Sequence, residues 1–537
     1  MSRLSLVVTV LGCISIVGIG FAPGCGGSNS DGGGFPGGSS SGSSGGSSNG
    51  SSGTGSSNGS GGGSGSGCGI TGCGDGATSS SSGGNDGGMA CPVGLQCGVT
   101  CSGGGTTTIS GKIYDPAKLD ALYDIAVYVP AVPLVALPKG VPTGADACNC
   151  GALFKSGAVV STVTGVDGSF KLTNTPVGSN VPLVFQVGKW RKEVMINVTA
   201  CQDNAQPDKS LAFAGTLVGA GPNDSMPDIA VSTGGADTLE CLLLRMGIPS
   251  TEYVAGASGT GHVHVFAGGD PSAGGFWGTP ESPGMAGAPQ SSTTLWDSQA
   301  HMMPYDILLL SCEGGETFNA NPANLEGYLN AGGRAFGSHY HYAWFTPPTE
   351  SGQSYMPPAD WGNALASWTV GSNGGSQSNG KIVQTLNGST QPFAKGQALF
   401  QWLGINGALG VLGAPASELP MIPPRYNAMV GPGNKPSQPW INDDSTGNTM
   451  YFSFDTPVNA PVSPDGGAPN YCGRAVFSDL HVGGETMPAD TPSPPSGCAS
   501  AALSPQEKAL EFMIFDLSSC VIPDTIPPSD AGVPIFQ

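Results

Sequence analysis

The segment from Tyr305 to His341 constrains the fold more than any other part of the chain. It opens with a continuous apolar run, Ile307 to Leu310, which is typical of a strand buried on both faces of a parallel sheet. A Gly-rich turn and a stretch with helical spacing come next. A second short strand at 334–337 then stops at a sharp turn that carries His339. Strands that alternate with helices predict a parallel sheet covered by helices on both faces.

The same alternation extends over residues 226–522, which we expect to form one α/β domain. Ser504, Pro505 and Glu507 form a capping box with proline in the first turn, so they predict the start of the last helix. A segment at about 347–444 fits no part of this alternation and is interpreted as an insertion, and residues 523–537 form a tail. The further predicted strands lie at 228–232, 262–266, 450–454 and 474–480, and a further helix lies at 236–246.

Residues 106–204 show a different pattern, with short strands at regular spacing and no helical stretch. Apolar and polar residues alternate from Thr107 to Ile113, and Asp167-Gly168 has the composition of a hairpin turn. This pattern predicts an all-β sandwich. Trp190 in this domain has two interpretations: it stacks against a sugar ring, or it packs on its own sheet.

Two blocks of this region, Ser110 to Asp115 and Val163 to Phe170, resemble the carboxypeptidase regulatory-like (transthyretin-like) family. The resemblance implies a β-sandwich that serves as a spacer or adhesion module and carries no catalysis.

The α/β domain resembles the class I glutamine amidotransferase-like group that includes the ThuA-type proteins. The matching features are the pair Gly332-Gly333, His339 at the sharp turn, and His481 at the end of a late strand. The resemblance implies a flavodoxin-like parallel sheet. In the amidotransferases the sharp turn holds a nucleophilic cysteine, and imidazole cannot replace a thiolate in that covalent role. Glutaminase activity is therefore not expected.

Every histidine of the chain lies in the α/β domain. Two pairs, His262 with His264 and His339 with His341, are separated by one residue. On an extended strand that spacing puts both rings on one side, a geometry that metal sites use. The six histidines are His262, His264, His301, His339, His341 and His481.

The carboxyl ends of the strands form the ligand crevice in open α/β sheets. The candidate pocket there consists of Glu313, His339, His341, Asp479 and His481. One interpretation is a set of buried, hydrogen-bonded histidines, and a second is a ligand or carbohydrate pocket without a cofactor. A third is a site for a divalent metal such as zinc at His339, His481 and Glu313. Cys312 as a nucleophile with His481 as its base is a further alternative, and no catalytic residue is assigned.

The amino end predicts export. Arg3 precedes an apolar run to Phe21, and small residues lead to Cys25, as in a bacterial lipoprotein signal. Residues 1–24 are interpreted as a signal peptide and Cys25 as the lipid-modified first residue. An uncleaved anchor is the alternative, because about 18 apolar residues can just span a bilayer. Residues 25–88 are nearly all Gly, Ser and Asn, so they predict a disordered stalk with a reach of about 40 Å.

The many cysteines agree with an oxidising compartment. The cluster Cys91, Cys97 and Cys101 in the Cys-rich segment 89–105 lacks neighbouring histidines, so it predicts a small disulfide knot and not a metal site. The number of cysteines after Cys25 is odd, so one thiol stays unpaired or pairs between chains. The predicted bridges are Cys472–Cys498, Cys241–Cys520, and Cys201 with either Cys148 or Cys150.

A formal net charge of −20 argues against nucleic acid and anionic lipid as partners. Together these features predict an extracytoplasmic protein that is lipid-anchored to a bacterial membrane, at the outer membrane or cell surface. We expect a non-catalytic binding or adhesion role, with a polysaccharide or another surface protein as partner. The alternative is a metal-dependent hydrolase or sugar-modifying enzyme.

Overall fold

The computed structural model describes residues 91–270, 290–349, 355–371, 373–461, 469–481 and 502–526. The predicted signal peptide, Cys25, the stalk and Cys498 lie outside these residues, as does the tail after residue 526. Among the helices described, none is long and apolar enough to cross a membrane. The described residues form a sheet-rich α/β protein.

The amino-terminal part is built from eight strands in two four-stranded sheets. One sheet has the order β4-β1-β7, with β8 also paired to β1, and the other has the order β3-β2-β5-β6. Side chains from both sheets, among them Ile109 and Phe185, share one apolar core. The strands are β1 (Thr108–Tyr114), β2 (Ala126–Pro130), β3 (Ala158–Val163), β4 (Ser169–Thr173), β5 (Gly178–Val187), β6 (Trp190–Val198), β7 (Asp203–Ala205) and β8 (Leu211–Ala212).

The rest of the described chain contributes twelve strands and all six helices. They are β9 (Ile229–Ser232), α1 (Leu239–Arg245), β10 (Tyr253–Ala255), β11 (Val263–Phe266), α2 (Thr293–Trp296), α3 (Gln299–Met302), β12 (Ile307–Leu310), α4 (Pro322–Asn330), β13 (Arg334–Ser338), β14 (Ser367–Trp368), β15 (Ser378–Ile382), α5 (Ala394–Ile405), β16 (Glu418–Met421), β17 (Ala428–Met429), β18 (Ser437–Asp443), β19 (Thr449–Thr456), β20 (Gly473–Ser478) and α6 (Pro505–Ser518).

Ten of these strands form one mixed sheet in the order β10-β11-β9-β12-β13-β20-β19-β18-β15-β16. The first six strands in this order, which end with β20, are parallel to one another. The last four strands, β19, β18, β15 and β16, continue the sheet in antiparallel pairs. The prediction of a parallel sheet is therefore wrong for the last four strands in this order. When the three-residue strand β10 is left aside, the parallel strands lie in the order 2-1-3-4-5, which doubly wound sheets share.

The predicted insertion supplies three strands of that sheet, β15, β16 and β18. The pattern of the sequence did not indicate them, because Gly380 and Pro439 lie inside strands where such residues normally argue against a strand. The ladder between β18 and β19 accommodates Pro439 through an irregular register between that residue and Ile441.

Alternate residues of the parallel strands point to opposite faces of the sheet, as strand geometry requires. Val231 and Leu309 belong to a core that also contains α1, α5, α6 and the amino-terminal sheets. Ala230 and Leu308 belong to a second core on the face that α2, α3 and α4 cover. Because both faces are buried, these strands appear in the sequence as continuous apolar runs.

The two parts of the protein are joined through their side chains. Trp190 is fully buried and packs against Phe213 and against Phe515 of α6, with ring centroids 6.1 and 5.6 Å apart. Trp190 is therefore a packing residue and is not exposed to a sugar. Lys189 Nζ lies 2.5 Å from Asp306 Oδ1, which adds a buried ion pair across the same contact.

The disulfides differ from the predicted pairing. The predicted partner of Cys201 was Cys148 or Cys150, but Cys201 bonds to Cys101. Cys241 is disulfide-bonded, but not to Cys520, and Cys472 bonds to Cys148 and not to Cys498. The spacing of the cysteines in the sequence suggested disulfides that close loops within one domain. In the structure, two bridges connect the amino-terminal sheets to the α/β part. The described bridges are Cys91–Cys97, Cys101–Cys201, Cys148–Cys472 and Cys150–Cys520.

Glu511 on α6 is fully buried where it faces the amino-terminal sheets. Burial raises its pKa well above the usual value, and the negative charges of Asp115 and Asp120 add to that effect. Its folded-state pKa therefore exceeds the unfolded value of about 4.3, so the folded protein holds a proton that the unfolded chain releases. Stability is then lost as the pH rises from about 4 towards the folded pKa.

We expect Glu511→Gln to raise the free energy of unfolding by about 1 kcal/mol or more at pH 7, because each pH unit between the two pKa values costs about 1.4 kcal/mol. The gain should disappear near pH 4. Urea unfolding at several pH values measures it, with Glu193→Gln as a partly exposed control. A gain that does not depend on pH would show that folding does not raise the pKa of Glu511.

Candidate functional site

The carboxyl ends of three adjacent parallel strands bring three ligand-type side chains together. Cys312 follows β12, His339 follows β13, and His481 follows β20. These strands are neighbours in the sheet, in that order. Residues that follow them arrive at one edge, where α/β proteins bind their ligands.

The side chains of Cys312, His339 and His481 form a compact buried group, the CHH cluster. One ligand atom from each lies within 4.8 Å of the others. Cys312 Sγ is 3.3 Å from His339 Nδ1, and the two imidazole centroids are 4.8 Å apart. Metal–ligand bonds of about 2.0–2.3 Å put the ligands of one ion at such separations after small side-chain movements. Within the described residues this is the single group of its kind.

The sharp turn predicted after β13 is present at His339. Its φ of 45° places it in the left-handed region, which residues other than glycine seldom adopt. Such backbone strain is found where the surrounding structure fixes a side chain for a function. The turn directs the imidazole over the carboxyl ends of the strands and continues into a 3-10 turn at His339–Trp344.

The backbone of Cys312 is held on one side by Ser338 of β13 and on the other by the loop after β9. Its N–H donates to Ser338 Oγ at 3.1 Å, and that hydroxyl donates to an Asp237 carboxylate oxygen. Its carbonyl oxygen accepts a hydrogen bond from the N–H of Ala236 at 3.1 Å. A Cβ on Gly234 would overlap that carbonyl, so this close approach requires glycine. These hydrogen bonds therefore fix the position of the backbone from which the Cys312 thiol extends.

Burial lowers the pKa of His339 well below its usual value, and the neighbouring basic groups of His481 and Arg425 lower it further. His339 is therefore a neutral imidazole at neutral pH, which is the form that binds metal ions. Because His339, the imidazole in contact with the Cys312 thiol, is neutral, it does not supply the imidazolium that usually activates a cysteine.

Two carboxylates from the predicted pocket lie outside the CHH cluster. Glu313 points towards β11, where a Cβ on Gly268 would lie 2.9 Å from its Oε1. Successive residues after β12 thus turn to opposite sides, and Cys312 takes the place that we assigned to Glu313. Asp479 Oδ2 accepts hydrogen bonds from the N–H groups of Asn427 and Ala428, at 2.7 and 3.1 Å.

Asp479 therefore connects the insertion to the end of β20. Burial raises its pKa to about 8, although those two hydrogen bonds and the charge of Arg425 lower it.

His341 is a structural residue. Its Nδ1 accepts a hydrogen bond from Trp344 Nε1 at 3.1 Å and lies 2.6 Å from Thr317 Oγ1. Its Nε2 must then carry the proton and donates to the carbonyl oxygen of Ser311 at 2.8 Å. Burial lowers its pKa to about 4. With both nitrogens engaged, His341 cannot serve as the metal ligand that its spacing suggested.

The remaining three histidines form hydrogen bonds or ion pairs with residues outside the CHH cluster. His262 Nδ1 lies 2.7 Å from Glu252 Oε2, and His264 Nδ1 donates to the carbonyl oxygen of Gly256 at 2.9 Å. The pair therefore does not form a metal site, although its spacing allows one. His301 is exposed and lies 2.6 Å from Asp297.

One sequence signal could have identified Cys312 as a ligand. The odd number of cysteines indicated a residue that stays out of disulfides, and Cys312 lies directly after the most apolar strand. In the structure Cys312 keeps its thiol, whereas the other described cysteines are all disulfide-bonded. A thiol that persists among so many bridges is protected by burial or by a ligand.

The chain matches no protein-family model and no curated protein. Two solved structures match, and both are type II cohesin–X-dockerin complexes from Acetivibrio cellulolyticus that carry interface mutations. The C-terminal interface mutant is 15% identical over 25% of this chain and 78% of its own, with a TM-score of 0.14. The N-terminal interface mutant is 16% identical over 27% and 85%, also with a TM-score of 0.14. Similarity at that level supports neither a fold nor a function.

Proposed function

We propose that this protein binds a transition-metal ion through Cys312, His339 and His481. The observation that carries the proposal is the convergence of one thiol and two imidazoles within 4.8 Å at the carboxyl ends of parallel strands. These residues come from three different strands, so the fold itself creates the group.

The donor set selects the class of metal. A thiolate with two imidazoles suits zinc and copper, which prefer sulfur and nitrogen ligands. Calcium and magnesium prefer oxygen ligands, and the carboxylate of Glu313 points away from the cluster. Three protein ligands leave a fourth position for water, for a further protein group or for a substrate.

Binding is favoured over catalysis because all three ligands are buried: His481 is 2% exposed, and Cys312 and His339 are completely buried. A hydrolytic site keeps its open metal position accessible to substrate. The second candidate function is a metal-dependent hydrolase. It is favoured only by the number of protein ligands, because catalytic zinc sites also have three.

The metal content of the purified protein tests the proposal. After export in medium that contains zinc and copper, elemental analysis should find about one metal ion per chain, because the described residues contain one such cluster. The ion should be lost with a chelator under mild denaturation and should return after refolding with either metal. A protein that stays free of both metals after refolding contradicts the proposal. If the metal-loaded protein hydrolyses a chromogenic ester or glycoside and the metal-free protein does not, the hydrolase function is favoured.

We further propose that the protein is tethered to a bacterial membrane through Cys25. The disulfides fit an extracytoplasmic protein, and the signal-like amino end followed by a Gly/Ser stalk supports attachment. Mass spectrometry of the mature amino terminus is expected to find a lipid on Cys25. An unmodified terminus at another residue, or an intact start before Arg3, would contradict the anchor.

The two family resemblances remain predictions, and both agree with a binding role for this chain. A carboxypeptidase regulatory-like sandwich fits a spacer or adhesion module, and a ThuA-type domain with histidine at the sharp turn fits a protein without glutaminase chemistry. We propose adhesion to a polysaccharide as the specific form of this binding role.

A further inference from the structure

We infer that a cleft at the opposite end of the sheet is a second ligand site, and that it takes a neutral saccharide. The cleft, called here the Tyr305 cleft, has a volume of about 560 Å³. That volume lies within the range of small-molecule sites, about 300–1,000 Å³. Residues that the argument uses from its lining are Asp228, His264, Phe266, Gln290, Thr294 and Tyr305.

The Tyr305 cleft is separate from the CHH cluster. Asp228 and Tyr305 precede β9 and β12, so they lie at the amino ends of the parallel strands. His264 and Phe266 lie on β11, in the half of the sheet away from β20. The floor of the cleft is buried, whereas Gln290 and Thr294 are exposed at its rim.

Polar groups converge on the floor of the cleft. His264 donates its Nδ1 proton to the carbonyl oxygen of Gly256, and its Nε2 faces Asp228. That Nε2 lies 3.9 Å from Asp228 Oδ1, so two neighbouring hydroxyl groups of one sugar can each form a hydrogen bond to one of these atoms. Burial and the charge of Asp228 raise the pKa of Tyr305 to about 12, so its hydroxyl keeps a proton to donate.

The floor also offers an apolar surface beside these groups. The Tyr305 ring lies edge-on to His264 and to Phe266, with centroids 5.0 and 5.9 Å apart. A saccharide combines hydroxyl groups with apolar C–H faces, so it matches a site in which a carboxylate, an imidazole nitrogen, a tyrosine hydroxyl and aromatic rings meet. Hydrogen bonds from sugar hydroxyls to a carboxylate are among the stronger neutral–charged pairs.

The net charge of the chain favours a neutral ligand over an acidic one. The lining carries one carboxylate, Asp228, and one ammonium group, Lys139, and the chain as a whole has a net charge of −20. An anionic sugar would face Asp228 directly and would be repelled by the protein as it approaches. A neutral sugar meets neither cost.

Isothermal titration of the full exported protein tests the assignment with glucose, galactose, mannose, N-acetylglucosamine and galacturonate as probes. At least one neutral sugar is expected to bind with a dissociation constant of about 1 mM or lower. Asp228→Asn should weaken that binding about tenfold, and Tyr305→Phe about threefold to tenfold, because one hydrogen bond is lost while the ring remains. Protein that is freed of the proposed metal ion by a chelator under mild denaturation, and then refolded without metal, should bind the sugar with unchanged affinity.

Matched controls are Asp167→Asn and Tyr114→Phe, which change the same residue types on the amino-terminal sheets, and neither should alter binding. The assignment fails if no neutral sugar binds, if galacturonate binds more tightly than every neutral sugar, or if Tyr305→Phe binds like the unchanged protein. Thermal melting checks that each variant is folded. Should Asp228→Asn unfold, the Tyr305→Phe result decides.

Discussion

Cys312→Ser is expected to remove the metal ion from the protein. Serine has nearly the shape of cysteine but does not replace a thiolate as a ligand for zinc or copper. Loss of a residue that only supports a ligand costs about 10–100-fold in metal affinity, so loss of the ligand itself should exceed 100-fold. Elemental analysis after dialysis should find about one ion in the original protein and background levels in the variant.

Cobalt gives a second measurement that depends on the sulfur itself. A thiolate bound to Co²⁺ produces a charge-transfer band in the near ultraviolet, and Cys312→Ser should abolish that band. His339→Ala and His481→Ala should also lose the ion. His301→Ala is the matched control, because His301 is an exposed histidine outside the CHH cluster. Full metal content in Cys312→Ser, with the fold intact by circular dichroism, would rule out this site.

Removing both bridges that connect the two parts of the protein should cost about 5 kcal/mol of stability or more. Cys148–Cys472 and Cys150–Cys520 join residues 324 and 370 positions apart. Cross-links that close long loops reduce the entropy of the unfolded chain most, although the gain rises only with the logarithm of loop length. Urea unfolding of a variant with serine at all four positions measures the loss.

A matched control is available in Cys91–Cys97, which joins residues only 6 positions apart. Serine at both of those positions should cost less than the loss of either long bridge. In the four-serine variant the amino-terminal sheets and the α/β part should also unfold less cooperatively, because the contact of Trp190 with Phe515 then acts without a covalent tether. Equal unfolding midpoints for the two serine variants would contradict the loop-length argument.

Local patterns in the sequence predicted the elements that depend on neighbouring residues. The capping box at Ser504 and Glu507 is confirmed, with Pro505 as the first residue of α6. The apolar run after Tyr305 is a buried strand, and the chain turns sharply at His339. These features depend on side chains within about four positions, which a single sequence displays.

The candidate site was predicted in part. The convergence of His339 with His481 followed from the rule that the carboxyl ends of parallel strands meet at one edge. The third member did not, because Cys312 and Glu313 are adjacent in the sequence and turn to opposite sides after β12. Which of two adjacent side chains faces the histidines depends on the anchoring of the Cys312 backbone by Ser338 and the loop after β9.

The sequence by itself determined where strands and the capped helix form, where the chain turns, and that the cysteines favour an oxidising compartment. Only the tertiary structure decided which cysteines pair, that the insertion completes the sheet with antiparallel strands, and which thiol joins the two histidines. The physical reason is the distance along the chain over which each choice is made. Strands and caps are selected by neighbours a few residues away, whereas Cys148 meets Cys472 because the amino-terminal sheets pack on the α/β part.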